Sequence, residues 1–131
     1  MAERVYSFVY DRDHIPPFPV LSIDLSAPGR PQPTVSLSAL IDTGADITLL
    51  PLEHLTRLGA RFINDARVRG LFGSRQSVGI YAVTIRIGPQ QIHAVRVAGV
   101  SSLEDAILGR DVLAQIVITL NGPAETLELH E

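Results

Sequence analysis

The residues with the clearest chemical potential lie in the run SALIDTGADITLLP, residues 38–51. One aspartate, Asp42, interrupts an otherwise apolar segment, and Thr43, Gly44 and a second aspartate, Asp46, follow it closely. A carboxylate in apolar surroundings is costly unless it is paired, protonated or hydrogen-bonded. Asp42 is therefore either a turn residue that caps its own loop or a group whose charge has a chemical use.

The amino-acid composition excludes several other chemistries. The chain has no cysteine, and all 11 of its basic residues are arginine. Thiol nucleophiles, disulfides and thiolate metal sites are thus excluded, as are Schiff-base lysines and the lysine-dependent phosphate loop. The histidines, His14, His54, His93 and His130, lack metal-ligand spacing, and no Gly-x-Ser-x-Gly motif supports a serine nucleophile. We therefore expect neither a metal nor another cofactor.

Size and charge indicate one domain, residues 1–131, and we expect it to bind neither nucleic acid nor membranes. The net charge is −3 without a basic cluster, so nucleic-acid binding has no electrostatic footprint. No apolar run reaches the roughly 18 residues of a membrane span, and the N-terminus has no signal-peptide pattern. The absence of cysteine fits a reducing cytoplasm, where we expect the protein to act.

Most of the chain has the alternating polar and apolar pattern of β-strands. The alternating runs are RVYSFVY, PVLSIDL, TVSLSALI, VGIYAVTIRIG, IHAVRVAGV, QIVITL and ETLELHE. The segment SAPGRPQP predicts a long hairpin loop, and GPQQ and NGPA predict turns. Two short helices are predicted in PLEHLTRLG, from Pro51 to a stop at Gly59, and in GRDVLAQI. The predicted fold class is therefore all-β, with sheet edges protected by a barrel or sandwich.

Three segments together resemble the retropepsin, or retroviral-type, aspartic protease family. ALIDTGAD resembles the active-site loop, and AILGRDVLAQIVITLNG, residues 106–122, resembles the second loop strand and the helix after it. RVRGLFGSRQSVGIYAVTIRIG, which lies between them, resembles the flap hairpin that covers the substrate. The resemblance covers about residues 20–122 and implies a closed acid-protease barrel with one or two short helices and a flap. Residues 123–131 are an extension that we expect to fold back as a hairpin on QIVITL.

The resemblance implies an aspartic endopeptidase whose catalytic residues are Asp42, Thr43 and Gly44. Two carboxylates about 3 Å apart can share one proton. The ionised carboxylate activates a water molecule, and the protonated one polarises the scissile carbonyl. The chain contains one Asp-Thr-Gly motif, so the second carboxylate must come from another copy. We therefore expect a homodimer with the site on its two-fold axis, acting on a peptide or protein substrate.

The resemblance also implies roles for residues around the catalytic loop. The implied substrate-binding residues are Ala45, Asp46, Ile47, Gly70, Leu71, Phe72 and Ile107, with Leu49 as a further apolar wall. The apolar members could equally be ordinary core residues. Asp46 is also implied to pair with Arg110, and a bidentate pair would brace the loop from below. Asp111 fits the negative charge that is favourable at a helix N-terminus.

Two features depart from the retroviral pattern and favour an alternative function. The predicted flap tip contains Arg69, Phe72 and Arg75 where retroviral flaps are richer in glycine, and both termini extend beyond the matched region. In the retroviral enzymes the terminal strands seal the dimer, so these extensions change or remove that interface. The alternative is a catalytically weak or inactive binding or dimerisation module with the retropepsin fold.

Overall fold

A computed structural model of the protein describes residues 3–69 and 75–131. These residues form ten strands and two short helices. The strands are β1 (Val5–Val9), β2 (Val20–Ala27), β3 (Arg30–Ile41), β4 (Leu49–Pro51), β5 (Arg61–Arg69), β6 (Arg75–Ile87), β7 (Gln90–Val100), β8 (Ala106–Leu108), β9 (Val117–Asn121) and β10 (Thr126–His130). The helices are α1 (Leu52–Leu58), between β4 and β5, and α2 (Arg110–Leu113), between β8 and β9.

Seven strands form one sheet, and six of them close into a ring, with β5 at the remaining edge. The strand order is β2-β3-β8-β4-β7-β6-β5, and an additional pairing of β2 with β6 joins the two sides, with Leu25 opposite Ile85. The pairs β3–β8 and β4–β7 are parallel, whereas the other pairs are antiparallel. The ring is not a strict barrel, but it confirms the predicted all-β fold with short helices.

The core lies inside this ring because alternate strand residues point to opposite faces of the sheet. In β2, Leu21, Ile23 and Leu25 are buried, whereas Asp24 between them is exposed. Burial of each such side chain contributes about 1.5–3 kcal/mol relative to exposure. The alternation that predicted these strands from the sequence is therefore also the pattern that fills the core.

A three-stranded antiparallel sheet, which we call the terminal sheet, joins the two ends of the chain. Its order is β1-β10-β9, with Val5 opposite His130 and Leu127 opposite Leu120. The C-terminal residues fold back as a hairpin on β9, and the N-terminal strand covers the other side of that hairpin. Leu127 and Leu129 are fully buried in the core cluster, so the terminal sheet packs on the ring.

Helix α1 agrees with its sequence signals. It follows Pro51 and ends at Gly59, whose left-handed backbone (φ 67°) terminates the helix. Leu55 and Leu58 are its buried residues and hold it against the ring. Within residues 3–69 and 75–131, no helix is long and apolar enough to cross a membrane.

Several segments differ from the sequence prediction. Helix α2 covers only Arg110–Leu113 of GRDVLAQI, and the short strand β4 was not predicted. The predicted loop SAPGRPQP is only the turn at Pro28 and Gly29, because Gly29 adopts a φ of 74° and β3 starts at the next residue, Arg30. The first part of β5, RFINDA, lacked a recognisable strand pattern. β5 lies at the edge of its sheet, where charged residues interrupt the alternation.

Candidate active site

The Asp-Thr-Gly loop begins where two parallel strands end side by side. β3 and β8 pair in parallel, with Ile41 beside Leu108. The backbone N–H of Asp42 donates to the carbonyl oxygen of Leu108 at 3.1 Å. The position at which the chain leaves the sheet is thus fixed by a strand that lies far along the sequence.

A tight turn orients the Asp42 carboxylate. The N–H of Gly44 donates to Asp42 Oδ1 at 2.9 Å, and the N–H of Ala45 donates to the Asp42 carbonyl oxygen at 3.2 Å. A Cβ atom on Gly44 would lie 3.2 Å from Oδ1, so glycine permits this close contact. Asp42 does cap its own loop, but its Oδ2 makes no hydrogen bond with the described residues. Asp42 is half-buried, whereas Thr43 and Gly44 are exposed.

Arg110 connects the start of α2 to the Asp-Thr-Gly loop. Its Nη2 donates to Asp46 Oδ1, and its Nη1 donates to the carbonyl oxygen of Thr43 at 2.7 Å. The expected pairing of Arg110 with Asp46 is present, but it is not bidentate, because the second guanidinium nitrogen donates to the Thr43 carbonyl oxygen. The side chains of Arg110 and Asp46 are 52% and 86% exposed, so the pair stabilises the fold by only about 0–1 kcal/mol. Its main effect is to fix the shape of the loop.

A buried network that the sequence interpretation missed lies below the loop. Thr48 is fully buried, and its Oγ1 donates to Asp111 Oδ1 at 2.7 Å while its N–H donates to Asp111 Oδ2 at 3.0 Å. The N–H of Gly109 completes the network by donating to Thr48 Oγ1 at 3.0 Å. Asp111 is thus a partner of Thr48 and not only a helix-terminal charge. The available signal was the lone threonine within the apolar run ITLL.

Gly109 brings the two loop segments into backbone contact. A Cβ atom at this position would lie 2.7 Å and 2.8 Å from the carbonyl carbon and oxygen of Ile47, and 2.9 Å from the carbonyl oxygen of Ala45. The next residue, Arg110, donates its backbone N–H to that Ala45 oxygen at 2.9 Å. Only glycine fits between these atoms, so Gly109 belongs to the support of the loop although the sequence interpretation did not select it.

A cleft of about 770 Å³ opens between the Asp-Thr-Gly loop and the β5–β6 hairpin. The residues that line it are Gly44, Ala45, Asp46, Ile47, Leu49, Ala66, Arg67, Val68, Arg69, Arg75 and Ile80. The hairpin is paired as far as Arg69 opposite Arg75. The volume of the cleft lies in the range of sites that bind small ligands.

The structure brings together part of the predicted substrate-binding set. Ala45, Asp46, Ile47 and Leu49 all line the cleft. Among the described residues, Ile107 is the predicted wall residue that does not line it, since Ile107 lies half-buried in β8 opposite Leu49. The other predicted residues, Gly70, Leu71 and Phe72, lie outside the described residues.

Within residues 3–69 and 75–131, no group of three or more histidine, aspartate and glutamate side chains is placed to hold a metal ion.

The fold and the loop sequence together are those of the aspartic proteases. Residues 34–115 match the family described as gag-polyprotein putative aspartyl protease. The chain therefore belongs to this retropepsin-like aspartic protease family. A search of curated proteins finds no significant match.

Thirty-four chains of solved structures are similar to this chain. One is a retropepsin-like aspartic protease from Rickettsia conorii, which is 14% identical with a TM-score of 0.65, over 98% of this chain and 93% of the other. At this identity the likeness concerns the fold alone. The EIAV protease complexed with the inhibitor HBY-793 is 27% identical with a TM-score of 0.59, over 75% of this chain and 86% of the other.

Proposed function

We propose that this protein is an aspartic endopeptidase that is active as a homodimer, with Asp42 from each of two subunits forming the catalytic pair. The observation that carries this proposal is the geometry of the Asp-Thr-Gly loop. The turn holds Asp42 Oδ1 while Oδ2 makes no hydrogen bond with the described residues, and the next residues of the loop, Gly44 to Asp46, line a cleft of about 770 Å³. One chain supplies one such carboxylate.

In this mechanism the two Asp42 carboxylates share one proton. The ionised carboxylate takes a proton from a water molecule that attacks the scissile carbonyl carbon, while the protonated carboxylate donates to the carbonyl oxygen. The first carboxylate, now protonated, then donates to the leaving amine while the second takes a proton from a hydroxyl of the tetrahedral intermediate, so the C–N bond breaks and the product carboxyl group forms. Gly44 keeps each carboxylate oriented through its N–H. In the proposed dimer, the hydroxyl of the exposed Thr43 binds the second loop across the two-fold axis.

We further propose the terminal sheet as the dimer surface. Val5 and Val9 in β1, and Val117 and Leu120 in β9, are 47%, 64%, 65% and 48% exposed. These four residues make up most of the large exposed hydrophobic side chains among the residues that the structure describes. Both β1 and β9 are edge strands of this sheet, so each leaves one row of backbone groups for pairing with another chain. A second copy is the occupant that the single Asp-Thr-Gly motif requires.

The catalytic role is tested with Asp42→Asn, which keeps the shape and the Oδ1 hydrogen bond but removes the charge. We expect loss of cleavage of unfolded casein, with an unchanged circular dichroism spectrum and melting temperature. Asp13→Asn, a change of the same kind at an exposed aspartate of the loop between β1 and β2, is the matched control and should retain full activity. If Asp42→Asn retains wild-type turnover, the catalytic proposal is wrong.

A mixing experiment tests whether the site is shared. At constant total chain concentration, an equal mixture of wild type and Asp42→Asn should retain about one quarter of the wild-type activity, because about one quarter of random dimers have two aspartates. Independent sites in single chains would instead retain about one half. The latter result would contradict a site built from two copies.

The dimer surface is tested by Val117→Arg, with Ile15→Arg as the matched control. Both residues are exposed, at 65% and 97%, but only Val117 lies in the terminal sheet. Sedimentation should show a weaker dimer and lower activity for Val117→Arg alone. A chain that is monomeric at all concentrations would favour the alternative function, a binding module without hydrolysis.

A further inference from the structure

A second cavity, of about 540 Å³, lies apart from the cleft and shares none of its lining residues. We call it the arginine pocket. Arg30, Arg61 and Arg96 are its charged lining residues, and no carboxylate lines it. The rest of its lining is apolar or small and consists of Ala27, Pro28, Gly59, Ile63, Ala82 and Ala94. The proposed protease mechanism uses no residue of this pocket.

The strand register explains why two of the arginines face the same cavity. Arg61 of β5 lies opposite Ala82 of β6, and Ala82 lies opposite Arg96 of β7. Directly opposed residues point to the same face of a sheet, so the three form one row with alanine in the middle. The backbones of β5 and β7 are separated by two strand spacings, roughly 10 Å. The short side chain of Ala82 leaves a gap between two long cationic side chains.

The third arginine, Arg30, reaches the pocket from the turn between β2 and β3 and not from β5 or β7. Arg30 is the first residue of β3, directly after the turn at Gly29. Its Nη1 lies 3.9 Å from the position that a Cβ atom on Gly59 would occupy, so the guanidinium extends to the end of α1. Three cations thus converge on one cavity in a chain whose net charge is −3.

These cations have no anionic partner in the described parts of the chain, residues 3–69 and 75–131. None of the ion pairs formed there includes Arg30, Arg61 or Arg96. Like charges that converge without a counter-charge repel each other, and an anion placed among them relieves that repulsion. Planar guanidinium groups match the paired oxygens of carboxylates and phosphates.

The backbone at the pocket also shows an unusual conformation. Ala94 has a φ of 53°, a left-handed conformation that residues other than glycine, asparagine and aspartate rarely adopt. It lies where the pairing of β6 and β7 shifts register, between Val83 and Ile85. Ser102 and Glu125 have similar φ values of 60° and 55°, and a register shift of this kind is a β-bulge, which bends the strand locally. At Ala94 the bulge sets the shape of the pocket wall.

We propose that the arginine pocket binds a small organic anion, a molecule that carries one carboxylate or phosphate group on a short apolar body. The guanidinium groups of Arg61 and Arg96 bind the anionic oxygens from two sides of Ala82, and the Arg30 guanidinium closes the site beside the end of α1. The apolar body packs on Ile63 and on the small residues that line the pocket. The cavity volume falls within the range of small-molecule sites.

The test uses the full-length ¹⁵N-labelled chain and follows its amide resonances. Phenyl phosphate and phenylacetate are the two probes, and binding of either supports the proposal and identifies the preferred head group. Inorganic phosphate, at matched ionic strength, tests the contribution of the charge without the ring. Benzyl alcohol tests the contribution of the ring without the charge. We expect saturable shifts at Ala82 and Ala94, with a dissociation constant at least about tenfold below that of inorganic phosphate, because the ring is buried on the apolar residues that line the pocket.

The double variant Arg61→Gln/Arg96→Gln should weaken binding by about tenfold or more, because each change removes a charge-assisted hydrogen bond. The matched control is Arg4→Gln/Arg12→Gln, which removes the same charge from exposed positions at the N-terminal end of the chain and should bind as the wild type does. Equal weak binding of phenyl phosphate and inorganic phosphate, equal affinity of the two double variants, or shifts confined to other residues would overturn the proposal. None of these measurements depends on proteolytic activity.

Discussion

The contact between the two loop segments at Gly109 gives the sharpest stability prediction. Ordinary van der Waals contact begins near 3.4 Å, and the Cβ atom introduced by Gly109→Ala would lie 2.7–2.9 Å from three backbone atoms of Ala45 and Ile47. To restore a contact of 3.4 Å, the atom at 2.9 Å must move away by about 0.5 Å and the atom at 2.7 Å by about 0.7 Å. Backbone atoms cannot rotate aside as a flexible side chain can.

The displacement has a direct energetic consequence. Overpacking of this kind costs about 1–3 kcal/mol. The displacement also disturbs the hydrogen bond from the Gly109 N–H to Thr48 Oγ1, which contributes about 1 kcal/mol. We expect Gly109→Ala to lower the free energy of unfolding by about 2–4 kcal/mol. For a chain of this size that corresponds to a fall in melting temperature of roughly 10 °C.

The matched control is Gly122→Ala, in the turn between β9 and β10. A Cβ atom on Gly122 would meet nothing within 4 Å, and its φ is not positive. This substitution should be neutral or stabilise the protein by about 0.4–1 kcal/mol by restricting the unfolded chain. Urea unfolding followed by circular dichroism, at equal chain concentrations, measures both. If the two variants differ by less than about 0.5 kcal/mol, the inferred backbone contact is absent.

Two further predictions concern the support of the same loop. Thr48→Val keeps the shape of a buried side chain but removes its hydroxyl, so we expect the free energy of unfolding to fall by about 1–3 kcal/mol. The control Thr34→Val, at an exposed position of β3, should change stability little. Similar losses of stability for the two variants in urea unfolding would contradict a buried network. Asp46→Ala should cost less than about 1 kcal/mol because its ion pair is largely exposed, whereas Asp111→Ala leaves two buried donors unpaired and should cost about 1–3 kcal/mol. Thermal melts of the two alanine variants compare them directly, and the reverse order would refute this assignment of roles.

The local features of the fold could be predicted from the sequence. Strand alternation located most of the strands, because residues that face the core must be apolar at every second position. Helix α1 was predictable because its start after Pro51, its buried leucines and its end at Gly59 are local signals. The Asp-Thr-Gly loop was recognisable because ALIDTGAD resembles the active-site loop of the retropepsin family. The roles of Asp42, Thr43 and Gly44 in catalysis remain a prediction.

The support of the loop could not be predicted in detail. Arg110 uses one nitrogen for Asp46 and the other for a carbonyl oxygen of Thr43, and a sequence does not indicate which backbone oxygen lies within reach. The start of β5 was missed because an edge strand does not need to alternate. The predicted wall residue Ile107 does not line the cleft, because its position in β8 depends on pairing with β3 and β4.

The sequence by itself determined most of the strands, the position of α1 and the single carboxylate motif around Asp42, since each depends on neighbouring residues. Only the tertiary structure decided which distant groups meet. Thr48 contacts Asp111, Gly109 contacts Ile47, and Arg61 and Arg96 flank one alanine. The physical reason is that strand register and parallel pairing set these contacts. A shift of one residue in register would turn each side chain to the other face of the sheet.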